Sequence, residues 1–226
     1  MRLVDVAAQC DLKQATAHRL LRVLVDEGLA EQDVTSRRYV VGQEAFLLGL
    51  ARRSSFRIRK VASPFLQQLC DESEDSVFLT VRSGADSICV DRKTGRYPIQ
   101  VLSIEIGARR PLGVGVGGLA ILAFLPRDEA AALLHFNAAR FSREELSVQD
   151  IESRVDNIRR TGFAYTEKGL VRGMRAVAVP VFRADRYPVA AISISTISAR
   201  LSVTRARDLV TAMQLQATRI TKRLAT

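Results

Sequence analysis

Several residue types that common functional sites depend on are scarce in this sequence. There are two histidines, His18 and His135, and three cysteines, Cys10, Cys70 and Cys89, with no C-x-x-C pair. This spacing favours free thiols in a reducing compartment and leaves little for a metal site, so we expect no metal or other cofactor. No run approaches roughly 18 consecutive apolar residues and no secretory signal opens the chain. We therefore expect a cytoplasmic protein without a membrane span.

The sequence motifs of several enzyme classes are missing as well. The chain contains no G-x-S-x-G, no P-loop G-K-[ST] and no H-E-x-x-H. Gly113, Gly115 and Gly118 do spell G-x-G-x-x-G, but no carboxylate follows about 20 residues later to bind a ribose, so a dinucleotide site is not predicted. We expect no enzyme. An α/β enzyme acting on a small carboxylate remains an alternative, which a cluster of catalytic carboxylates or histidines in one pocket would favour.

Positive charge, in contrast, is abundant. The chain has 34 Lys and Arg against 24 Asp and Glu, a formal net charge of +10. Such an excess attracts polyanions and gains from the release of their counterions. Aromatic residues make up only 6% of the chain, which offers little of the stacking surface typical of RNA-binding modules. The charge alone does not identify the partner, because many arginine-rich soluble enzymes share it. A non-specific basic nucleic-acid-binding protein, such as an RNA binder, remains a second alternative.

Residues 1–42 show the order of elements of a winged helix-turn-helix. A short helix is predicted over residues 3–8, and Asp11 is expected to cap a second helix. Gly28 suits the left-handed position that ends a helix, and a hairpin over residues 29–41 follows where the wing belongs. The spacing i, i+3, i+4, i+7 predicts one buried stripe on the second helix, formed by Ala17, Leu20, Leu21 and Leu24.

The opposite face of the second helix carries polar and basic residues. Arginine can bind guanine with two hydrogen bonds, and histidine and threonine can contact bases or phosphates. Arginines near the tip of the hairpin could contact a phosphate or enter the minor groove. Any one of these residues could equally be a solvated surface residue, but the order of elements favours DNA binding. The predicted DNA contacts are Gln14, Ala15, Thr16, His18, Arg19, Arg22, Arg37 and Arg38.

The rest of the chain predicts a connecting helix over residues 43–55 and a larger α+β domain over residues 56–226. Runs of strands separated by groups of helices favour an antiparallel sheet over the strict alternation of a parallel one. Helices are predicted near 58–69, 118–125, 127–135, 148–161 and 204–224. Strands are predicted over 75–82, 87–92, 98–104, 175–182 and 188–195.

Two features of the larger domain could bind an anion. The glycine-rich segment 113–118 leads into a helix whose N-terminal amides would favour an anionic ligand, although these glycines could serve only a tight turn. Ser193 and Ser195 lie at i and i+2 on a predicted strand, so that their hydroxyls share one face. They could hold a carboxylate together, or they could belong to a solvated face of the sheet.

The segments LVDVAAQCDLKQATAHRLLRVLVDEGLAEQD and RRYVVG, with T-x-H-R-L-L on the second helix, resemble the IclR family of bacterial transcription regulators. The resemblance continues through RRPLGVGVGGLAILAFLP, TGFAYTEKG and VPVFRADRYPVAAISIS, nearly the whole chain. It implies a GAF-like effector domain and a regulator that binds double-stranded operator DNA as a homodimer or a dimer of dimers. It also implies a small organic acid bound near Val116, Gly117, Gly118, Thr166, Ala176, Ser193 and Ser195.

The chain departs from the family pattern in two places. Members that bind small keto acids carry Asp and Cys where this chain has Thr166 and Ala176, which leaves the expected pocket less acidic and less crowded. We therefore expect a larger or more apolar acid as effector. Family members also have a further helix, of roughly 20 residues, before the point that corresponds to Met1. We accordingly expect the native reading frame to continue upstream with a helical segment; the alternative is an incomplete and weakened DNA-binding module.

Overall fold

The computed structural model describes residues 1–51, 57–102, 104–166 and 171–225. The chain divides into two compact units, Met1–Phe56 and Arg57–Thr226, below called the N-terminal and the C-terminal unit. Of the predicted connecting helix, residues 52–55 lie outside the described residues, as do residues 167–169 of the TGFAYTEKG segment.

The N-terminal unit consists of short helices and a two-stranded hairpin. The strands pair antiparallel with Ala30 opposite Val41, and Gly28 ends the second helix with a φ of +67°. Gly42 packs so closely on the Gly28 carbonyl that any side chain would collide with it, which fixes the base of the hairpin. The elements are α1 (Leu3–Gln9), α2 (Gln14–Asp26), β1 (Ala30–Gln32), β2 (Tyr39–Val41) and α3 (Gln43–Ala51).

Two predictions for the second helix were wrong. Asp11 does not cap α2: it has a φ of +52°, and the helix begins at Gln14 with Lys13 before it. Leu20 and Leu24 are 48% and 40% exposed, whereas Ala17 and Leu21 are buried as expected. The reason is that α2 packs on α1 and β1 along a stripe narrower than the helical spacing implied.

The C-terminal unit is built on an antiparallel sheet. The predicted α+β class and antiparallel sheet are thus confirmed. Its strands are β3 (Ser76–Ser83), β4 (Asp86–Lys93), β5 (Arg109–Pro111), β6 (Ala164–Thr166), β7 (Met174–Phe182) and β8 (Pro188–Ile197). They lie in the sheet in the order β5-β4-β3-β8-β7-β6. Its helices are α4 (Arg57–Ser73), α5 (Gly115–Ala123), α6 (Arg127–Ser142), α7 (Val148–Thr161) and α8 (Val203–Ala225), with a 3-10 turn at Ser198–Arg200.

The two faces of this sheet carry side chains of different size. Val177, Val179 and Ile192 belong to the core that the sheet forms with α4 and α8. Ala176 and Ala178, on the alternate positions of β7, belong to the core on the side of α5. Because side chains alternate between faces along a strand, small residues line the α5 side and allow that helix to approach closely.

Residues 98–104 do not form the predicted strand, as far as they are described. The Gln100 side chain holds this segment instead, donating to the carbonyls of Glu74 and Tyr97 and accepting from Ser76. The edge position beside β4 is taken by β5, a strand of three residues that was not predicted. Side-chain contacts thus replace the ladder of backbone hydrogen bonds that a strand would need.

A buried carboxylate stabilises the end of β8. Asp75 is 1% exposed and accepts hydrogen bonds from Thr196 (2.7 Å), Arg200 (3.1 Å) and Arg205 (2.7 Å). Removing one partner of such a buried group leaves a charge without compensation, at a cost of about 3–5 kcal/mol. This network therefore fixes the C-terminal end of β8, where Ser195 lies.

Candidate functional site

A cavity in the C-terminal unit opens between the sheet and the first turn of α5. It measures about 710 Å³, counting the part that is open to solvent. Val101, Ile104 and Ala108, which precede β5, form one wall. The other lining residues are Thr80, Ser87, Cys89, Arg110, Val114, Gly115, Val116, Gly117, Gly118, Thr166, Val171, Met174, Arg175, Ala176, Ser193 and Ser195.

One wall of the cavity is a row of side chains across three strands. Thr166 on β6 lies opposite Ala176 on β7, and Ala176 lies opposite Ser195 on β8. Ser193 follows on β8, opposite Ala178. Residues directly opposite each other in antiparallel strands project from the same face. The structure thus brings together two serines, a threonine and an alanine that are distant in the sequence.

The two serines are buried, with 3% of Ser193 and 7% of Ser195 exposed. Neither hydroxyl forms a hydrogen bond with another described residue, and both oxygens remain accessible from the cavity. A hydroxyl that faces a cavity without a protein partner can bind solvent or a ligand there. Both hydroxyls line the cavity and can donate to an acceptor that enters it.

The first turn of α5 lies against the sheet at the same cavity. The amides of Gly115, Val116 and Gly117 have no partner within an α-helix, because they precede its first backbone hydrogen bond. A Cβ at position 117 would come within 2.7 Å of the Thr80 hydroxyl oxygen, and one at 118 within 3.1 Å of the Ser87 hydroxyl oxygen. The glycines therefore permit this approach, and the amides favour a negative charge.

The cavity carries positive rather than negative charge. No described lining residue is Asp or Glu, whereas the half-buried Arg110 contributes to the wall. Burial raises the pKa of the Cys89 thiol to about 11, so this thiol is neutral at physiological pH. Among the described residues, no cluster of His, Cys, Asp and Glu could hold a metal ion.

The second candidate surface is on the N-terminal unit. Gln14, Ala15, His18, Arg19 and Arg22 are exposed on α2, and Thr16 is partly buried among them. They give α2 an exposed face that is largely polar. It is interrupted by the exposed side chains of Leu20 and Val23.

The hairpin ends in a turn built by Asp33. Its carboxylate accepts from the amide of Ser36 at 2.6 Å, and its backbone exchanges hydrogen bonds with Arg37 and Arg38 at 2.9 Å each. The hydrogen bonds from Ser36 lower the pKa of Asp33. Both arginines are exposed, and Arg37 has a φ of +56°. A defined turn thus presents two guanidinium groups to solvent.

Comparison with known protein families assigns both units. Residues 51–222 match the model of the bacterial transcriptional regulator IclR C-terminal domain, and residues 1–34 match that of the IclR helix-turn-helix domain. The chain belongs to the IclR family of bacterial transcriptional regulators. It is a DNA-binding transcriptional regulator with a helix-turn-helix module and an effector-binding domain.

Individual relatives agree with this family. The chain is 30% identical to the glycerol operon regulatory protein of Streptomyces coelicolor, over 88% of this chain and 78% of that protein. It is 28% identical to the HTH-type transcriptional regulator KipR of Bacillus subtilis, over 91% of this chain and 82% of that protein. An IclR homologue from Microbacterium hydrocarbonoxydans, complexed with 4-hydroxybenzoate, shares the fold with a TM-score of 0.74 and 19% identity, over 98% of this chain and 90% of that one.

Several positions in this IclR-family protein differ from the sequence predictions. The seven predicted effector residues surround one cavity, but their contact with an effector remains a prediction. The predicted helix start at residue 118 was wrong, because α5 begins at Gly115 and its unpaired amides are those of residues 115–117. Sequence reasoning also missed Thr80, Ser87 and Arg110. Their place in the wall follows from strand register, for which the sequence has no signal.

Proposed function

We propose that this IclR-family regulator controls a catabolic or metabolic operon in response to a small organic acid. Residues 56–226 would bind the acid, and residues 1–42 would bind the operator. The helical segment within residues 43–55 would couple the two. The effector would act by binding one DNA-binding geometry of the protein more tightly than another, which shifts their populations. In this proposal the protein has a regulatory and not a catalytic role.

The observation that carries the proposal is the pair of serine hydroxyls that line the cavity without a partner among the described residues, beside a helix N-terminus. A carboxylate placed there could accept from Ser193 and Ser195 and from the amides of the first turn of α5. Hydrogen bonds to a charged acceptor contribute about 1.5–3 kcal/mol each, more than those to a neutral one. The site therefore suits an anion better than a neutral molecule.

The size of the ligand is expected to exceed that of a two- or three-carbon keto acid. Thr166 and Ala176 present methyl groups along the row that ends at Ser195. Extra ligand volume would contact these groups, and burying an apolar surface gains roughly 25 cal/mol per Å² before ordering costs. The 4-hydroxybenzoate complex of the Microbacterium homologue is consistent with an acid of this size.

A thermal-shift screen of the full chain tests the proposal. We expect aliphatic or aromatic carboxylates larger than pyruvate to raise the melting temperature, and the Ser193→Ala, Ser195→Ala double variant to lose the response. Stabilisation by glyoxylate or pyruvate alone would contradict the size argument. An undiminished response in the double variant would contradict the site.

For DNA, we propose that Gln14, Ala15, Thr16, His18, Arg19 and Arg22 face the major groove of a double-stranded operator, and that Arg37 and Arg38 contact its backbone or minor groove. Two helix-turn-helix modules on one face of DNA require at least a homodimer, and a dimer of dimers would present four. A cytoplasmic location follows from a chromosomal target. Light scattering of the protein with and without operator DNA measures the assembly.

A further inference from the structure

Arg110 is the only arginine with a side chain on the α5 side of the sheet among the described residues that line the cavity. It lies on β5 directly opposite Ser87 of β4. The Ser87 hydroxyl points toward α5, because it would be 3.1 Å from a Cβ at position 118. Since opposite residues share a face of the sheet, the Arg110 side chain projects toward the cavity as well. Arg175 belongs to the other face, where it donates to the Leu201 carbonyl.

The Arg110 guanidinium has no ion pair and no hydrogen bond within the described chain. Its neighbour Arg109 behaves differently, since it donates to Asp86 at 2.9 Å and its side chain is 54% exposed. A guanidinium remains charged at any physiological pH and presents a fork of donors that suits a carboxylate. Because Arg110 is only half-buried, solvent can hydrate its guanidinium, and an anion that enters the cavity can replace that water.

Arg110 and the two serines lie at different parts of the cavity. β5, which carries Arg110, and β8, which carries Ser193 and Ser195, are separated by β4 and β3. Three strand spacings of about 4.8 Å separate them by about 14 Å across the sheet. The register adds about 13 Å along the strands, because Ser87 lies opposite Arg82 whereas Ser193 lies opposite Phe78. The first turn of α5 lies between, over Thr80 of β3 and Ser87 of β4. One small carboxylate cannot contact both the serines and a group on β5.

We propose that the effector is a dicarboxylic acid, with one carboxylate at Ser193, Ser195 and the α5 amides and the second on Arg110. This inference rests on the proposed acid-binding function and specifies its ligand. The apolar residues between the two positions, among them Val101, Val116 and Ala176, contact the carbon skeleton of the acid. Arg110 is thus the residue that selects a doubly charged ligand over a singly charged one.

The magnitude of this selection follows from the strength of a charged hydrogen bond. An interaction of about 1.5–3 kcal/mol corresponds to roughly 10- to 100-fold in Kd. Dicarboxylates should therefore bind about 10- to 100-fold more tightly than monocarboxylates with the same carbon skeleton. Arg110→Gln should abolish this preference and leave the affinity for monocarboxylates nearly unchanged.

The experiment is calorimetric titration of the full chain with matched acids. The pairs are adipate with hexanoate, pimelate with heptanoate, and each benzenedicarboxylate with benzoate. Arg109→Gln serves as the matched control, because it removes a neighbouring guanidinium that pairs with Asp86. Arg110→Lys keeps the charge and should keep part of the preference. Melting temperatures without ligand verify that each variant is folded.

The outcomes separate this inference from the proposed function. A preference for one dicarboxylate that disappears in Arg110→Gln and persists in Arg109→Gln supports the inference. If matched mono- and dicarboxylates instead bind equally, and the Ser193→Ala, Ser195→Ala double variant binds neither acid, that result overturns the inference and retains the proposed acid site. A preference that persists in Arg110→Gln overturns the assignment to Arg110. Absence of binding by every acid overturns both proposals.

Discussion

Ala176 lies directly opposite Ser195 in the pairing of β7 with β8, so that a single methyl group separates the serine from Thr166 on β6. Both serine and alanine line the cavity. The volume available beside the proposed carboxylate position is therefore limited by the side chain at position 176. A larger residue there would occupy ligand space beside Ser195 and would leave both serine hydroxyls in the protein.

This relationship predicts the effect of filling the cavity. Ala176→Leu should abolish stabilisation by aromatic acids, because the added side chain takes the volume that their rings would need. It should lower the free energy of unfolding by about 1–3 kcal/mol, as overpacking usually does. Ala176→Ser, which adds little volume, is the control and should respond like the wild type. A thermal-shift response to benzoates that survives in Ala176→Leu would contradict this geometry.

A second prediction concerns the close approach of α5 to β3. Gly117→Ala should destabilise the protein by about 1–3 kcal/mol, since its Cβ would be 2.7 Å from the Thr80 hydroxyl oxygen and 3.1 Å from the Thr80 Cβ. This loss exceeds the helix propensity gained on replacing glycine, at most about 1 kcal/mol. Gly118→Ala, whose Cβ would be 3.1 Å from the Ser87 hydroxyl, should cost less.

Urea denaturation of the wild type, Gly117→Ala, Thr80→Ala and the double variant measures this contact. Thr80→Ala removes the hydroxyl and methyl groups that a residue at 117 would meet, so the double variant should recover part of the stability that Gly117→Ala removes. Because the two residues touch, their effects should not be additive. Additive effects in the double-mutant cycle would show that α5 does not rest on Thr80.

The parts of the fold that were predicted correctly have local signals. Helix α7 was predicted over residues 148–161 and has these bounds, because Ser147 and Asp150 form a capping box and Gly162 ends the helix with a φ of +83°. β5 and β6 were missed because three residues are too short to show a period. These two strands form by pairing with residues distant in the sequence, and a local sequence pattern does not show such pairing.

The same distinction between local signals and tertiary pairing explains which residues of the candidate site could be predicted from the sequence. Ser193 and Ser195 could be proposed from the sequence because they share one strand, where alternation alone places them on one face. Arg110 could not be proposed, since its orientation depends on pairing with Ser87, 23 residues away. The predicted strand over 98–104 failed for a related reason. Val101 and Ile104 face the cavity and not a sheet core, although their apolar character resembles that of a strand.

The cysteines provide a prediction on pH dependence. Cys10 is exposed, whereas Cys70 and Cys89 are buried, and burial raises the pKa of both buried thiols, for Cys89 to about 11. At pH 8 only about one in a thousand Cys89 side chains would be thiolate, the reactive form. A thiol reagent such as Ellman's reagent should therefore modify one cysteine per native chain rapidly.

Raising the pH should increase the reactivity of Cys89 about tenfold per unit until the pH approaches 11, because a raised pKa delays thiolate formation. The control is Cys10→Ser, which should show no rapid modification at pH 8 and full modification after denaturation. Rapid reaction of a second thiol in native Cys10→Ser would show that Cys89 or Cys70 is more exposed or more acidic than the structure indicates.

The last prediction separates the roles of two arginines in DNA binding. Arg19 lies on the exposed face of α2, whereas Arg37 lies in the turn at the end of the hairpin. Arg19→Ala should cost about 1–3 kcal/mol with the preferred sequence and much less with others, because base contacts carry discrimination. Arg37→Ala should weaken binding to all sequences about equally, and it should reduce the slope of log affinity against log salt by about 0.9 for each phosphate that Arg37 neutralises.

The measurement uses fluorescence anisotropy at several salt concentrations, with a duplex selected by the full chain from a randomised pool and a scrambled duplex. Arg207→Ala, an exposed arginine of the C-terminal unit, is the control and should bind like the wild type. Equal affinity of the wild type for the selected and the scrambled duplex would contradict base recognition by α2, and an unchanged salt slope in Arg37→Ala would exclude a phosphate contact at the hairpin.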